Sequence, residues 1–172
     1  MNSYDGLRDS RTNLASPSLL YEELRRELSR AKRDLTFLTG IRIIISEASE
    51  DINATFFETV PRSAGLVAES QIDREILHLC QAMTNVTRGE DICSRMGERE
   101  FLIILHGPNL EAKTFMSRIM YGWERSRSRE QRLNENSEYA LSYASVLSES
   151  GDSALDFLNR LDLQSLQVVA TS

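Results

Sequence analysis

Two short apolar runs, residues 92–96 and 101–105, flank a polar link of four residues, 97–100. A link of this length joins neighbouring antiparallel strands in a tight turn, so the segment predicts a β-hairpin. An Arg-x-x-Asp motif, from Arg88 to Asp91, ends directly before the first of these runs. The motif therefore places a cation and a carboxylate at the foot of the hairpin.

The segments before and after the hairpin alternate between helical and extended patterns. Apolar residues at helical spacing predict helices over residues 17–32, 71–84, 110–126 and 153–161. Apolar and β-branched runs predict strands over residues 35–45, 139–147 and 166–170. Residues 47–70 are expected to form a short helix and a loop, and the charged residues 126–138 a mobile surface loop. This order is typical of an α/β fold in which helices cover a mixed central sheet.

A chain of 172 residues is long enough for a single domain with its own core. We expect residues 1–16 to lead into the domain, residues 17–33 to form the first helix, and residues 34–171 to form the rest of the core. Apolar spacing and the absence of paired cysteine motifs identify further core residues: Cys80, Cys93, Phe115, Tyr121, Trp123, Leu155, Leu158 and Leu161.

The net charge of −6 and the pI of about 5.1 argue against binding to nucleic acid polymers, which requires many basic contacts to phosphate. No run approaches the roughly 20 apolar residues of a membrane span, so we expect no membrane insertion and a cytoplasmic location. Nearly all cations are arginines, whose planar fork suits contacts to phosphate or guanine, although codon bias accounts for the excess as well.

A five-residue gap separates Asp91 from the run Gly97-Glu98-Arg99-Glu100-Phe101. This arrangement resembles the GGDEF domains of diguanylate cyclases, which carry Arg-x-x-Asp five residues before Gly-Gly-Asp/Glu-Glu-Phe. Three residues before the first helix also match the family's opening motif: Asp9, Thr12 and Leu14. The resemblance covers nearly the whole chain and implies the family's nucleotidyl-cyclase-like fold. It also implies a bacterial signalling domain, either complete or the cytoplasmic part of a longer or membrane-associated protein.

The signature turn departs from the family pattern at two positions. Glu98 replaces the second glycine and adds bulk and negative charge where substrate phosphates would lie. Arg99 replaces an acidic metal ligand, and arginine cannot supply the anionic oxygen that magnesium requires. Glu47 is the possible substitute for the metal-binding aspartate after the first strand, and Asp73 matches the guanine-reading aspartate. The resemblance therefore implies a degenerate former active site at residues 97–101, with no metal, no cofactor and no cyclase activity.

The Arg-x-x-Asp motif forms the inhibitory site for cyclic di-GMP in the GGDEF family. Arginine can donate to guanine O6 and N7 or to phosphate, and a carboxylate can accept from guanine N1-H and N2-H. The resemblance implies Arg88 and Asp91 as ligand-binding residues, and Arg118 matches the second arginine that the family often adds. The implied function is an inactive receptor for cyclic di-GMP that signals by homodimerisation or by binding a protein partner. The implied outputs include biofilm formation and exopolysaccharide regulation.

Two other functions remain open from the sequence. One is a protein-interaction scaffold that binds no nucleotide, and the other is a cyclase that survives with unusual metal ligation. His78 and His106 are interpreted as structural, because two separate histidines without a partner carboxylate are more often structural than catalytic or metal ligands. A basic cluster near the end of the third helix is interpreted as a solvated loop: Arg125, Arg127, Arg129 and Arg132.

Overall fold

The computed structural model describes residues 6–47, 66–107, 112–130 and 139–169. Helices and strands alternate through these ranges: α1 (Pro17–Asp34), β1 (Leu38–Glu47), α2 (Leu66–Val86), β2 (Ile92–Arg95), β3 (Glu100–His106), α3 (Ala112–Glu130), β4 (Tyr139–Leu147), α4 (Ala154–Asp162) and β5 (Gln167–Val168). Each of the predicted helices and strands that falls in these ranges is present. Residues 48–65 of the short helix and loop expected over 47–70 lie outside the described residues, and so do residues 131–138 of the loop expected over 126–138.

One five-stranded sheet organises the molecule, in the order β2-β3-β1-β4-β5. The predicted hairpin is confirmed, since β2 pairs antiparallel with β3 and Ile92 stands opposite Ile104. Strand β1 lies at the centre and pairs antiparallel with both β3 and β4. The described strands pair antiparallel throughout, and a parallel contact occurs only as an isolated bridge between Ala15 and Ser94.

Helices cover both faces of the sheet, as the α/β prediction requires. Alternate residues of β1 point to opposite faces because the side-chain period of a strand is two. Ile41, Ile43 and Ile45 pack into the core that contains α2 and α3. The opposite core contains the buried stripe of α1 and the α4 residue Phe157. Gly40 lies directly under that ring, where a Cβ atom would come within 2.7 Å of Phe157.

Three element boundaries differ from the predictions. Leu35 was expected to open β1, but it caps the C-terminus of α1 in a left-handed conformation with φ 53° and the strand starts at Leu38. Helix α2 starts at Leu66 instead of residue 71. Helix α3 continues to Glu130 instead of ending at residue 126, so the expected loop is helical over its first turn. Helix ends are set partly by tertiary packing, which a local pattern does not contain.

The prediction that Arg127 belongs to a solvated loop is wrong. Its side chain is buried between α2 and α3, where Nε lies 3.0 Å from Glu75 Oε2 and the guanidinium stacks 4.2 Å from the Trp123 ring centroid. Trp123 donates from Nε1 to the carbonyl of Glu75 at 3.1 Å. Arg125 of the same cluster is exposed, as expected. The buried pair locks the two helices together across one face of the sheet.

The core predictions are confirmed for most residues. Phe115, Trp123 and Leu161 are buried and Leu158 packs against a core. The prediction is wrong for Tyr121, which is 65% exposed on α3, and for Leu155, which is 57% exposed while Phe157 takes the inward position. Both cysteines are free thiols, and burial raises the pKa of Cys80 to about 12 and that of Cys93 to about 11. In the described ranges, no helix combines the length and apolar character that crossing a bilayer requires.

Candidate functional site

The predicted Arg-x-x-Asp motif forms a tight turn where α2 passes into β2. We call residues 87–91 the helix–strand junction. The Asp91 carboxylate accepts from the backbone N–H of Arg88 at 2.8 Å, and the Asp91 N–H donates to the Arg88 carbonyl at 3.1 Å. An aspartate that bonds the backbone three residues back closes the turn locally. The structure therefore brings the two motif residues together through the backbone of Arg88.

The side chain of Asp91 faces into the protein and is only 6% exposed. Its second oxygen, Oδ1, accepts from the backbone N–H of His106 at 3.1 Å. The ring of His106 in turn forms a hydrogen bond of 2.9 Å from Nε2 to Glu27 of α1. Asp91 and His106 thus connect the junction to the end of β3 and to α1, which supports the structural interpretation of His106.

Arg88 is exposed, and its guanidinium forms no ion pair with any described residue. Arg118, on α3, is also exposed and has no ion pair within those ranges. A Cβ atom added at Gly122 of α3 would lie 3.3 Å from Ala82 of α2, and Arg127 further along α3 contacts Glu75 earlier in α2. The two helices are therefore antiparallel.

The antiparallel packing of α2 against α3 determines which turn of α2 lies beside Arg118. Arg118 lies one turn before Gly122, on the same stripe of α3, and Val86 lies one turn after Ala82 on α2. Since the helices run in opposite directions, Arg118 stands level with the last turn of α2, which leads into the junction. Neither of the two predicted arginines has an ion-pair partner among the described residues.

The second predicted region is the β2–β3 turn, residues 96–99, where Arg95 of β2 holds the backbone. Its side chain is only 8% exposed and donates to the carbonyl oxygens of Gly97 at 3.1 Å and Glu98 at 3.0 Å. A third bond of 3.2 Å runs from Nη1 to Asp9 Oδ1. Burial opposes ionisation of Asp9, but hydrogen bonds from Thr12 and Arg95 outweigh it and hold the pKa below 3.8.

Arg99 lies beside the end of β1. Its Nη2 atom is 3.7 Å from Oε1 of Glu47, the carboxylate named as a possible metal ligand. The backbone carbonyl of Arg99 also accepts from Ile45 at 3.1 Å, which fixes the turn against β1. The described ranges contain no cluster of three or more histidine, cysteine or carboxylate side chains that could hold a metal ion. A guanidinium thus faces Glu47 where a cation would be needed.

Other charged side chains around the turn are also paired. Asp73, the predicted guanine-reading carboxylate, forms an ion pair with Arg11 from the segment before α1. Glu100 accepts from Arg42 Nε at 2.6 Å on the α1 face of the sheet. The exposed side chain of Glu98 lies at the tip of the turn, and Phe101 is fully buried. Apart from Glu98, the charged side chains named in this region are therefore matched in ion pairs.

Sequence reasoning missed Arg95, Arg11 and Arg42, which organise this region. No local signal identifies them, because each partner lies 58 to 86 residues away in the chain. The position of Arg95 next to the signature motif is the only sequence signal for its role. That signal is weak because the chain contains many arginines.

Comparisons with solved structures identify the same fold. The GGDEF domain of DgcB from Caulobacter crescentus, in complex with c-di-GMP, matches with a TM-score of 0.68 and 19% identity over 94% of this chain and 86% of that one. SiaD from Pseudomonas aeruginosa, in complex with its activator SiaC, matches with a TM-score of 0.66 and 24% identity over 92% and 56%. A microbial GGDEF domain studied with cyclic di-GMP matches with a TM-score of 0.62 and 21% identity over 91% and 88%.

No family model matches the sequence, and no curated protein sequence matches it significantly. The structural likeness nevertheless covers both helical layers and the sheet, since more than nine-tenths of this chain aligns with each of these three structures. The β2–β3 hairpin, the antiparallel sheet and the order of helices are therefore those of a GGDEF domain fold.

Proposed function

We propose that this chain is a catalytically inactive receptor for cyclic di-GMP, which binds at the helix–strand junction. The observation that carries the proposal is the placement of Arg88 and Arg118. Both are exposed, at the junction and beside the last turn of α2 that leads into it, without a described ion-pair partner, in a chain of net charge −6. Unpaired guanidinium groups attract an anionic ligand and can bond phosphate or guanine in two places at once.

In this proposal, the two arginines contact the ligand and Asp91 holds the junction in shape. Cyclic di-GMP presents two phosphates and two guanine edges, so two arginines match its chemistry. Because Asp91 accepts from the backbone of Arg88, it fixes the point from which the Arg88 side chain projects. Direct contact between Asp91 and guanine stays a prediction, which would require its carboxylate to turn outward.

The proposed loss of catalysis rests on the charge pattern of the β2–β3 turn. Phosphoryl transfer in this fold would need carboxylates that bind metal ions and neutralise developing negative charge. Here Arg99 is paired with Glu47 and Asp73 with Arg11, and Glu98 adds a negative charge at the tip. Incubation with GTP and magnesium or manganese should yield no cyclic di-GMP. Sustained production of the dinucleotide would overturn this part of the proposal.

The proposed signal is a change in homodimerisation or in binding to a protein partner. Two of the similar GGDEF structures contain or were studied with cyclic di-GMP, and a third, SiaD, is bound to its activator protein. A ligand that binds only the folded domain also stabilises it, so the melting temperature should rise with ligand concentration. Outputs such as biofilm formation or exopolysaccharide secretion belong to the proposal only through the family resemblance.

Isothermal titration with cyclic di-GMP tests the receptor function. The wild-type chain should bind, and Arg88→Ala should weaken binding roughly 100-fold, because two charge-assisted hydrogen bonds of about 1.5 kcal/mol each are removed. Arg125→Ala is the matched control, since Arg125 is also an exposed arginine, on α3. No heat with the wild-type chain, or equal loss in both variants, would exclude this site and favour the scaffold function.

A further inference from the structure

The ring of His106 lies between two carboxylates from different parts of the chain. Its Nε2 atom is 2.9 Å from Oε2 of Glu27 on α1, and its Nδ1 atom is 3.7 Å from Oδ1 of Asp91 in the junction. Both carboxylate side chains are mostly buried, with exposed fractions of 11% and 6%. The imidazole therefore links α1 to the predicted ligand-binding motif.

The two nitrogens of this ring have different environments. An ionised carboxylate only accepts hydrogen bonds, so Nε2 carries a proton and donates to Glu27. Nδ1 is buried and has no hydrogen-bond partner among the described residues. Without a proton, the lone pair of Nδ1 faces the negative charge of Asp91, whereas a doubly protonated ring is positive and attracts that carboxylate. The protonation state of Nδ1 therefore determines whether His106 attracts Asp91.

We call Asp91, His106, Glu27 and Arg30 the His106 cluster, and it has one uncompensated negative charge while the ring is neutral. The guanidinium of Arg30, one turn after Glu27 on α1, lies 3.0 Å from Glu27 and compensates its charge. The hydrogen bonds that Asp91 accepts come from backbone N–H groups, which carry no formal charge. A buried carboxylate is costly unless an opposite charge lies nearby. A protonated His106 supplies that charge for Asp91.

Neighbouring residues outside the His106 cluster add little charge to it. Leu38, which stands opposite His106 on β1, is apolar and buried. The other charged residues of the junction, Arg88 and Glu90, are exposed, so water and salt screen their effect on the ring. The charges that face the imidazole therefore come from the junction carboxylate and from the ion pair on α1.

We infer, on the basis of the proposed function, that His106 is a positioning residue for cyclic di-GMP binding and that a proton on Nδ1 strengthens this binding. The protonated ring holds the Asp91 carboxylate inward, where Asp91 accepts from the backbone N–H of Arg88 and fixes the start of the Arg88 side chain. The positive charge of the ring also attracts an anionic ligand. Affinity should therefore rise as the pH falls through the range of about pH 8 to pH 5 in which histidine changes its charge.

Calorimetric titration of the full chain with cyclic di-GMP at two pH values tests this role. Wild type should bind roughly tenfold more tightly at about pH 6 than at about pH 8, at constant ionic strength. His106→Gln should bind with nearly equal affinity at both pH values, because glutamine can donate to Glu27 but cannot be protonated. His78→Gln is the matched control: the chain contains two histidines, and His78 lies on α2, so this variant should keep the pH dependence of wild type.

Melting temperatures without ligand test the contact between His106 and Asp91 directly. Asp91→Asn keeps an acceptor for the backbone N–H groups and removes the negative charge. It should lower the melting temperature by about 3 °C more at pH 6 than at pH 8, because the attraction to the ring exists only when the ring is charged. Combined with His106→Gln, the same substitution should have equal effects at both pH values.

Several outcomes would overturn the role of His106 and leave the receptor function standing. One is wild-type binding of equal strength at both pH values. Another is tighter binding at pH 8, which is expected if Asp91 must turn outward to reach guanine. The others are a pH dependence that persists in His106→Gln or disappears in His78→Gln, and an effect of Asp91→Asn on melting that is the same at both pH values. Wild type that binds at neither pH would instead exclude the receptor function, and this role of His106 with it.

Discussion

The helix–strand junction and the β2–β3 turn lie at opposite ends of the same short strand, β2. They differ in whether their arginines form ion pairs. At the turn, Arg95 and Arg99 are paired with carboxylates from elsewhere in the chain. At the junction, Arg88 projects without a described ion-pair partner. The guanidinium groups at the turn hold the fold, whereas the Arg88 guanidinium at the junction is the group to which we assign the anionic ligand in the proposed function.

In the proposed function, the turn has lost its chemistry and the neighbouring junction keeps it. A carboxylate that binds a metal ion must be free of competing cations. Glu47 is instead paired with Arg99. The junction contains no such pair among the described residues, because the Asp91 carboxylate bonds to backbone N–H groups and leaves the Arg88 guanidinium uncommitted.

The largest expected effect is on stability, from Arg95→Ala. Removing this mostly buried side chain leaves Asp9 and two turn carbonyls without their partner, so the free energy of unfolding should fall by about 3 kcal/mol. Urea denaturation measures the change, with Arg88→Ala as the matched variant that should stay within about 0.5 kcal/mol of wild type. Similar losses in both variants would remove the contrast between the two regions.

A smaller effect is expected from Arg118→Ala, and it concerns binding alone. Loss of one charge-assisted hydrogen bond should weaken cyclic di-GMP binding roughly tenfold, with an unchanged melting temperature. Lys113→Ala is the control, since Lys113 is also an exposed cation of α3. Unchanged affinity in Arg118→Ala, measured by titration, would confine the proposed site to Arg88.

Arg99→Asp converts the structural pair at the turn into two facing carboxylates. Without divalent ions, repulsion from Glu47 should lower the melting temperature by about 3 °C, which corresponds to less than 1 kcal/mol. Millimolar magnesium should restore much of the loss, since two hard carboxylates can share the cation. Thermal melts with magnesium and with EDTA test this. A variant that is insensitive to magnesium would show that Glu47 cannot serve as a metal ligand even when Arg99 is absent.

The smallest effect is a change in pH dependence from Asp9→Asn. Because hydrogen bonds hold the pKa of Asp9 below 3.8, its stabilising contribution is complete above about pH 4 and is lost as the pH falls through the lowered value. The variant should be less stable at pH 7 and should lose stability less steeply as the pH falls below about 4. Urea midpoints across this range measure the slope. An acid limb identical to that of wild type would mean that Asp9 is not held by its partners.

The sequence predicted the hairpin, the helical layers and the burial of Phe115 and Trp123 on α3, because each depends on local periodicity. It did not predict the burial of Arg127. That burial depends on the ion pair with Glu75 of α2 and on stacking against Trp123 of its own helix, α3. It also placed Leu155 inward, although the rotation of α4 puts Phe157 against Gly40 instead. Local spacing determines that a helix has an apolar face, whereas packing decides which side chain occupies its centre.

The candidate site was likewise predicted only in part from the sequence. The spacing of Arg88 and Asp91 ahead of the hairpin identified the junction, and the substitutions at Glu98 and Arg99 marked the turn as altered. Neither the inward direction of the Asp91 carboxylate nor the bond from His106 to Glu27 follows from spacing. Those contacts depend on the positions of the end of β3 and the middle of α1 in the folded protein.

By itself, the sequence determined the order of helices and strands and the residue types present at each motif, because apolar period and turn length are local properties of the chain. Only the tertiary structure decided which charges cancel and which remain available. Ion pairs such as Arg95 with Asp9 join residues 86 positions apart, and their formation depends on the distance between folded elements. Since Coulomb energies and hydrogen bonds depend on that distance, the contrast between the two ends of β2 exists only in the folded protein.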